Sequence, residues 1–263
     1  MNDNKFSEFV EIVKKLRQEC PWDREQTNDS IKAATIEEAY EVVEAIDKKN
    51  YEDLKKELGD LLLHVVFHTV IAGETQNFNT DDVITSIKEK LIRRHPHVFG
   101  NTKVSGADEV KKNWEEIKLS EGRESILDGV PEILPALQRA HRLQEKAAKV
   151  GFDWEKKEDV WKKVIEEIDE MHQIEDKKQS QNEGEDFYSQ LEDEVGDVLF
   201  AMVNYARFLE INPENALRRT NKKFIKRFSY VEKMISKSGR KLSESNLEEM
   251  DKFWEESKSL LND

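Results

Sequence analysis

The chain has 263 residues, with 56 acidic against 42 basic side chains, a formal net charge of −14, one Cys, 10 Gly and 5 Pro. A single thiol excludes an internal disulfide framework and points to a reducing compartment. The acidic balance argues against direct nucleic-acid binding, and no apolar run approaches the roughly 20 residues of a membrane helix. The polar start Met1–Asn2–Asp3–Asn4–Lys5 lacks a signal-peptide core, and scarce Gly and Pro favour helices.

In chain order, Phe6, Phe9, Val10, Val13 and Leu16 recur at helical spacing and predict a helix over 5–19, ended by Cys20–Pro21. A second helix, capped by Asp29 or Ser30, carries Glu37, Glu38 and Glu41 and reaches about Lys48. A third runs over 51–72. Its stretch Leu61–His68 is apolar nearly all round, the pattern of a buried central helix. Asp81–Asp82 open a fourth helix that stops at His95–Pro96–His97, and 107–118 read as a fifth. Gly122, Gly129, Pro131 and Pro135 then interrupt the periodicity. Helical patterning returns over 136–150 and 158–173. The polar stretch 172–190 reads as a long surface loop, and helices follow over 191–210, 213–236 and 247–257.

Four short patterns occur twice, in the same order. Glu37–Glu38–Ala39–Tyr40–Glu41 is matched by Glu166–Glu167–Ile168–Asp169–Glu170, and Glu57–Leu58–Gly59–Asp60 by Glu194–Val195–Gly196–Asp197. Lys90 with Arg94 is matched by Lys223 with Arg227, and Trp114–Glu115–Glu116 by Trp254–Glu255–Glu256. A lone EExxE arises by chance in Glu-rich helices; four motifs in order do not. The chain is therefore expected to be two homologous helical domains, 1–125 and 126–263, with the unequal spacing absorbed by 172–190.

Residues three and four apart share a helix face, so Glu166, Glu167 and Glu170 line one side of a helix and Glu194 and Asp197 one side of the next. If these helices pack antiparallel, the carboxylates converge, and such a cluster is repulsive unless a cation neutralises it. Hard oxygen donors without Cys or His at ligand spacing favour Mg²⁺ or Mn²⁺ over zinc. Lys223 and Arg227 also share a face and suit phosphate, or else ordinary surface pairing. Trp254 either stacks on a base or anchors the last helix. This combination fits hydrolysis of a phosphoanhydride, and a Walker-type Gly-rich loop is absent. Cys20 reads as a buried thiol. His64 and His68, four apart, read as buried hydrogen-bonded histidines, and His95 and His97 as weak candidates near phosphates.

Glu19–Cys20–Pro21–Trp22–Asp23, the paired carboxylate motifs and the duplication together resemble the MazG nucleoside triphosphate pyrophosphohydrolases over essentially the whole chain. The resemblance implies an all-α fold of duplicated, four-helix-bundle-like MazG domains, with a site design similar to dimeric dUTPases and phosphoribosyl-ATP pyrophosphatase. It implies a cytoplasmic homodimer that converts NTPs and dNTPs to monophosphate and pyrophosphate with Mg²⁺ (Mn²⁺ as substitute). It also implies roles in nucleotide-pool cleaning and stress responses, with room for a regulatory protein partner. By the same carry-over, Glu166, Glu167, Glu170, Glu194 and Asp197 hold metal and water, and Glu167 or Glu170 takes the proton. Lys223 and Arg227 contact the triphosphate, and Trp254 lies near the nucleotide. The first-half set is Glu37, Glu38, Glu41, Glu57 and Asp60, with Lys90, Arg94 and Trp114. Both carboxylate sets are complete. The C-terminal domain is favoured as catalytic only because two-domain members resemble that arrangement, with the N-terminal domain structural or regulatory. The alternatives are a pyrophosphatase restricted to dUTP or dCTP and a non-catalytic nucleotide-binding regulator.

Overall fold

The computed structural model describes residues 5–121, 125–177 and 185–260, and every regular element among them is helical. In chain order these are α1 (Lys5–Glu19), α2 (Pro21–Glu25), α3 (Lys32–Asp47), α4 (Tyr51–Glu74), α5 (Thr80–Arg94) and α6 (Pro96–Phe99). Then come α7 (Ala107–Ser120), α8 (Ala136–Ala148), α9 (Lys157–Lys177), α10 (Glu185–Phe208), α11 (Pro213–Lys237) and α12 (Leu247–Leu260). The fold is all-α, and it divides into two units, Met1–Val110 and Lys111–Asp263.

In the first unit α3 and α4 form a hairpin across Lys48–Asn50, with Lys49 in the left-handed region at φ 54°. Asn50 caps α4 by accepting from the backbone N–H of Glu52 and Asp53, each at 3.2 Å. Helices α1 and α5 pack on α4. The core is Val10 and Val13 of α1, Ile31, and Val66, Phe67 and Ile71 of α4, with Phe9, Leu63 and Val70 against it.

The second unit repeats the hairpin with α9 and α10. Helix α8 packs on α10 and α11, and α12 on α11. Val160, Val164 and Ile174 from α9 are buried, as are Val203 from α10 and Val231 and Ile235 from α11. Asn212 caps α11 by accepting from Asn215 N at 2.9 Å, with Pro213 in the first turn, where its missing N–H costs nothing. Lys146 is 3% exposed. Its ammonium donates to the carbonyls of Ile126 (2.8 Å) and Asp128 (2.7 Å), which fastens that loop to α8.

Four expectations are corrected. Neither Asp29 nor Ser30 caps α3. Thr27 and Ser30 exchange hydrogen bonds one turn upstream (Ser30 N to Thr27 Oγ1 3.1 Å, Thr27 N to Ser30 Oγ 2.9 Å), and Asp29 pairs with Lys32. The stretch 172–190 is not one loop: α9 continues to Lys177 and α10 begins at Glu185, and 178–184 lie outside the described residues. Helix α4 is not covered on all sides, since Leu58, Leu62 and Val65 are 41–49% exposed in the single chain. Cys20 is half-buried rather than buried.

Ile235 is 1% exposed and Leu247 is 81% exposed. Ile235→Ala is expected to cost about 2–5 kcal/mol by urea denaturation, from lost burial plus a residual cavity. Leu247→Ala is expected to stay within about 0.5 kcal/mol.

Candidate active site

The hairpins bring the carboxylate motifs together by position. Glu41 lies six residues before the end of α3 and Glu57 six after the start of α4, so at about 1.5 Å rise per residue they stand at the same height. One oxygen each of Glu38, Glu41 and Glu57 lies within 4.8 Å of the other two, and the same holds for Glu167, Glu170 and Glu194. Glu38 and Glu41, like Glu167 and Glu170, are one turn apart on a face, and the third carboxylate comes from the facing helix.

Crowding of like charge registers in proton affinity. Burial and the charge of Glu41, with which it also hydrogen-bonds, push the Glu57 carboxyl above the usual range. Glu170 is pushed up by its hydrogen bond with Glu167, by burial, and by the charges of Glu167 and Glu194. Glu38 Oε2 is buried without a hydrogen-bond partner. Three hard oxygen donors apiece, one of them orphaned, suit a divalent cation of the Mg²⁺ or Mn²⁺ type.

The two clusters differ in what surrounds them. In the second unit Lys163 donates to Glu166 (2.7 Å) and Glu167 (2.8 Å), and both bonds hold its ammonium well above the usual lysine range. Aligned on the EExxE motif, the first unit has Ala34 at this position. Its cluster is flanked instead by a polar chain: Thr35 Oγ1 lies 3.0 Å from His64 Nδ1 and 2.9 Å from His68 Nε2, and His68 Nδ1 lies 2.8 Å from Asn28 Oδ1. His64 Nε2 stands 4.0 Å from Glu38 Oε1. Burial and the neighbouring His64 lower the His68 affinity for a proton. Both histidines are thus hydrogen-bonded and half-buried, not members of the carboxylate convergence.

The remaining expected site residues are placed as follows. Glu37 is exposed, and Asp60 adds its charge to the field at Glu57. Glu166 is held by Lys163, and Asp197 lines a cavity of about 630 Å³ together with Glu167 and Lys163. Lys90 and Arg94 lie on α5, one turn apart. Lys223 and Arg227 lie likewise on α11, which packs on α8, α12 and the edge of α10. The ring of Trp254 lies 5.2 Å from that of Phe224, and the Arg227 guanidinium stands 5.9 Å over it, so this Trp anchors α12 to α11. Trp114, the first-half counterpart of Trp254, lies on α7 within the second of the two units, with the Lys118 ammonium 5.7 Å over its ring. His95 Nδ1 contacts the carbonyl of Leu91 at 2.6 Å, and the rings of His95 and His97 are 5.7 Å apart.

Lys163 and the cavity's other walls, among them Gln144, Phe152, Trp154, Phe200 and Asn204, are absent from the sequence expectations. Lys163 had a legible signal, since a Lys three and four residues before a Glu pair meets both on a helix. The cavity walls come from three helices and two loops, one at Leu127 and one at 151–154, and the loops carry no motif.

The description "MazG nucleotide pyrophosphohydrolase domain" matches the chain twice, over 26–99 and 155–232, and each match contains one carboxylate cluster. The chain is 45% identical over 258 residues to the nucleoside triphosphate pyrophosphohydrolase/pyrophosphatase MazG of Thermotoga maritima, covering 96% of this chain and 95% of that protein. It is 41% identical over 263 residues to the nucleoside triphosphate pyrophosphohydrolase of Escherichia coli K12, covering 97% of each. It is 47% identical over 260 residues to the uncharacterized protein YabN of Bacillus subtilis, covering 97% of this chain and 52% of that protein. The chain belongs to the MazG nucleotide pyrophosphohydrolase family and carries two MazG domains.

Raised carboxyl affinities mean that ionisation costs the folded state: their stabilisation is present below the ordinary carboxylate pKa and is lost as pH rises through the raised one. Thermal melts of the metal-free protein should therefore show Mg²⁺ raising Tm more at pH 7 than at pH 5, where protons hold the same oxygens. Lys163→Met should lower the metal-free Tm at pH 7 and enlarge the Mg²⁺ shift. Equal shifts at both pH values would contradict a carboxylate site.

Proposed function

We propose that this chain hydrolyses nucleoside triphosphates to monophosphate and pyrophosphate in a Mg²⁺-dependent reaction, and that the C-terminal unit is the working site. The observation that carries the choice of unit is the cavity reaching Glu167 and Asp197. Aligned on the ExGD motif, Ala201 and Asn204 at its wall correspond to His64 and Phe67 in the first unit. Phe67 is 7% exposed in that unit's core, and His64 is locked to Thr35. The second unit keeps open what the first has filled. The printed activities of the Thermotoga maritima and Escherichia coli relatives support the same reaction for this chain. The domain limits that go with this reading are 1–125, structural or regulatory, and 126–263, catalytic.

Glu167, Glu170 and Glu194, with Asp197 beside them, would hold the cation; bound there, Mg²⁺ neutralises phosphate charge and favours ionisation of a water. Glu167 or Glu170, through whichever oxygen the cation leaves free, would accept the proton of the water that attacks the α-phosphorus. Glu166, tied to Lys163, holds that ammonium at the mouth of the site. Lys223 and Arg227 would receive the triphosphate and the departing pyrophosphate, Trp254 keeping the Arg227 guanidinium in place. Lys90 and Arg94 are their counterparts in the first unit.

Two features support a homodimer, built like the dimeric dUTPases. In the single chain α4 leaves Leu58, Leu62 and Val65 exposed and α10 leaves Val195, Leu199 and Met202 exposed, an apolar face on each of the paired helices. Gly59 and Gly196 occupy the same motif position inside α4 and α10, where Gly costs about 1 kcal/mol against Ala, yet a Cβ at either would meet nothing within 4 Å in this chain. Close approach by a second copy accounts for both. A nucleotide substrate and one free thiol go with a cytoplasmic location, and no described helix is long and apolar enough to cross a membrane.

Hydrolysis in ¹⁸O-water is expected to place the label in the monophosphate, as attack at the α-phosphorus requires; label in pyrophosphate would contradict the mechanism. Glu170→Gln is expected to lower kcat by about 10²–10⁴-fold with an unchanged helical circular dichroism spectrum. Turnover confined to dUTP or dCTP would narrow the reading, and nucleotide binding without pyrophosphate release would replace it by a regulator.

A further inference from the structure

The first unit's carboxylate cluster has a neighbour that the second unit's lacks. His64 Nε2 stands 4.0 Å from Glu38 Oε1, and the two side chains are only 15% and 21% exposed. Glu38 is one of the three carboxylates that converge there, with Glu41 and Glu57, and its Oε2 is buried without a hydrogen-bond partner. His64 thus flanks the three-way group, one ring nitrogen facing a member of it.

The hydrogen-bond chain behind His64 decides what that nitrogen presents. Thr35 Oγ1 lies 3.0 Å from His64 Nδ1, 2.9 Å from His68 Nε2 and 3.1 Å from the carbonyl of Ile31. A hydroxyl has one proton to give, so it cannot donate to all three. Asn28 Oδ1 lies 2.8 Å from His68 Nδ1, which makes that nitrogen the N–H of its ring. Burial opposes a second proton on His68, so its Nε2 accepts from Thr35. Thr35 Oγ1 in turn accepts from His64 Nδ1–H. The lone pair of His64 then sits on Nε2 and faces the Glu38 carboxylate. Two sheltered acceptors in that position repel unless positive charge lies between them. Their separation is too wide for a hydrogen bond. Two ligand atoms that each lie about 2.1 Å from one ion, however, stand about 3.0–4.2 Å apart, depending on the angle between them. A histidine that ligates a metal also hands its other N–H to a partner that fixes the ring, the part Thr35 plays here.

The second unit has none of this. Aligned on the two carboxylate motifs, Lys157, Val164, Ala201 and Tyr205 stand where the first unit has Asn28, Thr35, His64 and His68. Tyr205 packs on Trp161, their ring centroids 5.0 Å apart, and the positive charge at that cluster comes from Lys163.

From this geometry we infer that the first unit's cluster is a transition-metal site, in which His64 Nε2 joins Glu38, Glu41 and Glu57 as a nitrogen ligand and selects an ion of the Zn²⁺ or Co²⁺ class over Mg²⁺. Oxygen-only sets suit Mg²⁺, and imidazole added to carboxylate moves the preference to late first-row ions. Glu38 and Glu41 lie on α3, Glu57 and His64 on α4, so the ion joins the two helices of the hairpin. It gives the first unit a structural use for its complete carboxylate set. The inference goes beyond the reaction proposed for the second unit and does not depend on it.

The test titrates the metal-free chain with Zn²⁺ and with Mg²⁺ by isothermal titration calorimetry, its second cluster silenced by Glu167→Gln, Glu170→Gln and Glu194→Gln. Zn²⁺ should bind at least about 100-fold more tightly than Mg²⁺. His64→Gln in the same background should weaken Zn²⁺ by about tenfold or more and leave Mg²⁺ within about twofold. No loss of Zn²⁺ affinity, or an equal loss for both ions, would overturn the inference. Should His64→Gln fail to fold by circular dichroism, ring ¹⁵N spectra of the chain that keeps His64 decide. One equivalent of Zn²⁺ should shift the Nε2 resonance of His64 and Mg²⁺ should not; a resonance that Zn²⁺ leaves in place rejects the site. None of these readouts is turnover, so the inference stands or falls apart from the pyrophosphohydrolase reading.

Discussion

The apolar packing of each helical hairpin forces carboxylates on facing helices into the same small volume. Burial along α4 and α10 (Val66, Phe67 and Ile71 in one, Ala201 and Val203 in the other) fixes the height at which the helices meet. That height brings three carboxylate oxygens within 4.8 Å in each unit. Repulsion is the consequence, registered as raised proton affinity at Glu57 and Glu170. The clusters are tolerable because protons, a lysine or a divalent cation can relieve the charge, and a metallo-hydrolase uses that need.

From one duplicated plan the two units have diverged at a few positions. Lys163 against Ala34 gives the second cluster an internal counter-ion. Val164, Ala201 and Asn204 against Thr35, His64 and Phe67 exchange a hydrogen-bonded polar chain for an open cavity. The first unit spends its side chains on closing itself. The second leaves aromatic surface exposed at Phe152 and Trp154, in the cavity that Glu167 and Asp197 also line, and uncovered apolar surface suits a ligand.

Much of this was legible in the sequence. Periodicity placed nearly every long helix, and α1 coincides with its expected span, because amphipathic spacing is a local property. The repeat located the carboxylates that meet, because a hairpin converts equal distances from a turn into equal heights. Three carboxylates of each set meet, and Glu37 with Asp60, like Glu166 with Asp197, lies outside that three-way group. The reach of α9 and α10 into the polar stretch was missed, since polar composition does not forbid a helix whose other face is anchored. The cavity was invisible because its walls come from α8, α9, α10, the loop at 151–154 and Leu127, brought together by packing alone. The motifs could not choose between the two units, because both carboxylate sets are complete.

The most direct test neutralises the clusters one at a time and follows Mg²⁺-dependent pyrophosphate release across the ribo- and deoxyribonucleoside triphosphates. Glu167→Gln, Glu170→Gln and Glu194→Gln combined should abolish release on every substrate while the protein stays helical. Glu38→Gln, Glu41→Gln and Glu57→Gln combined should leave it largely intact. Activity that survives the first set and disappears with the second would contradict the account.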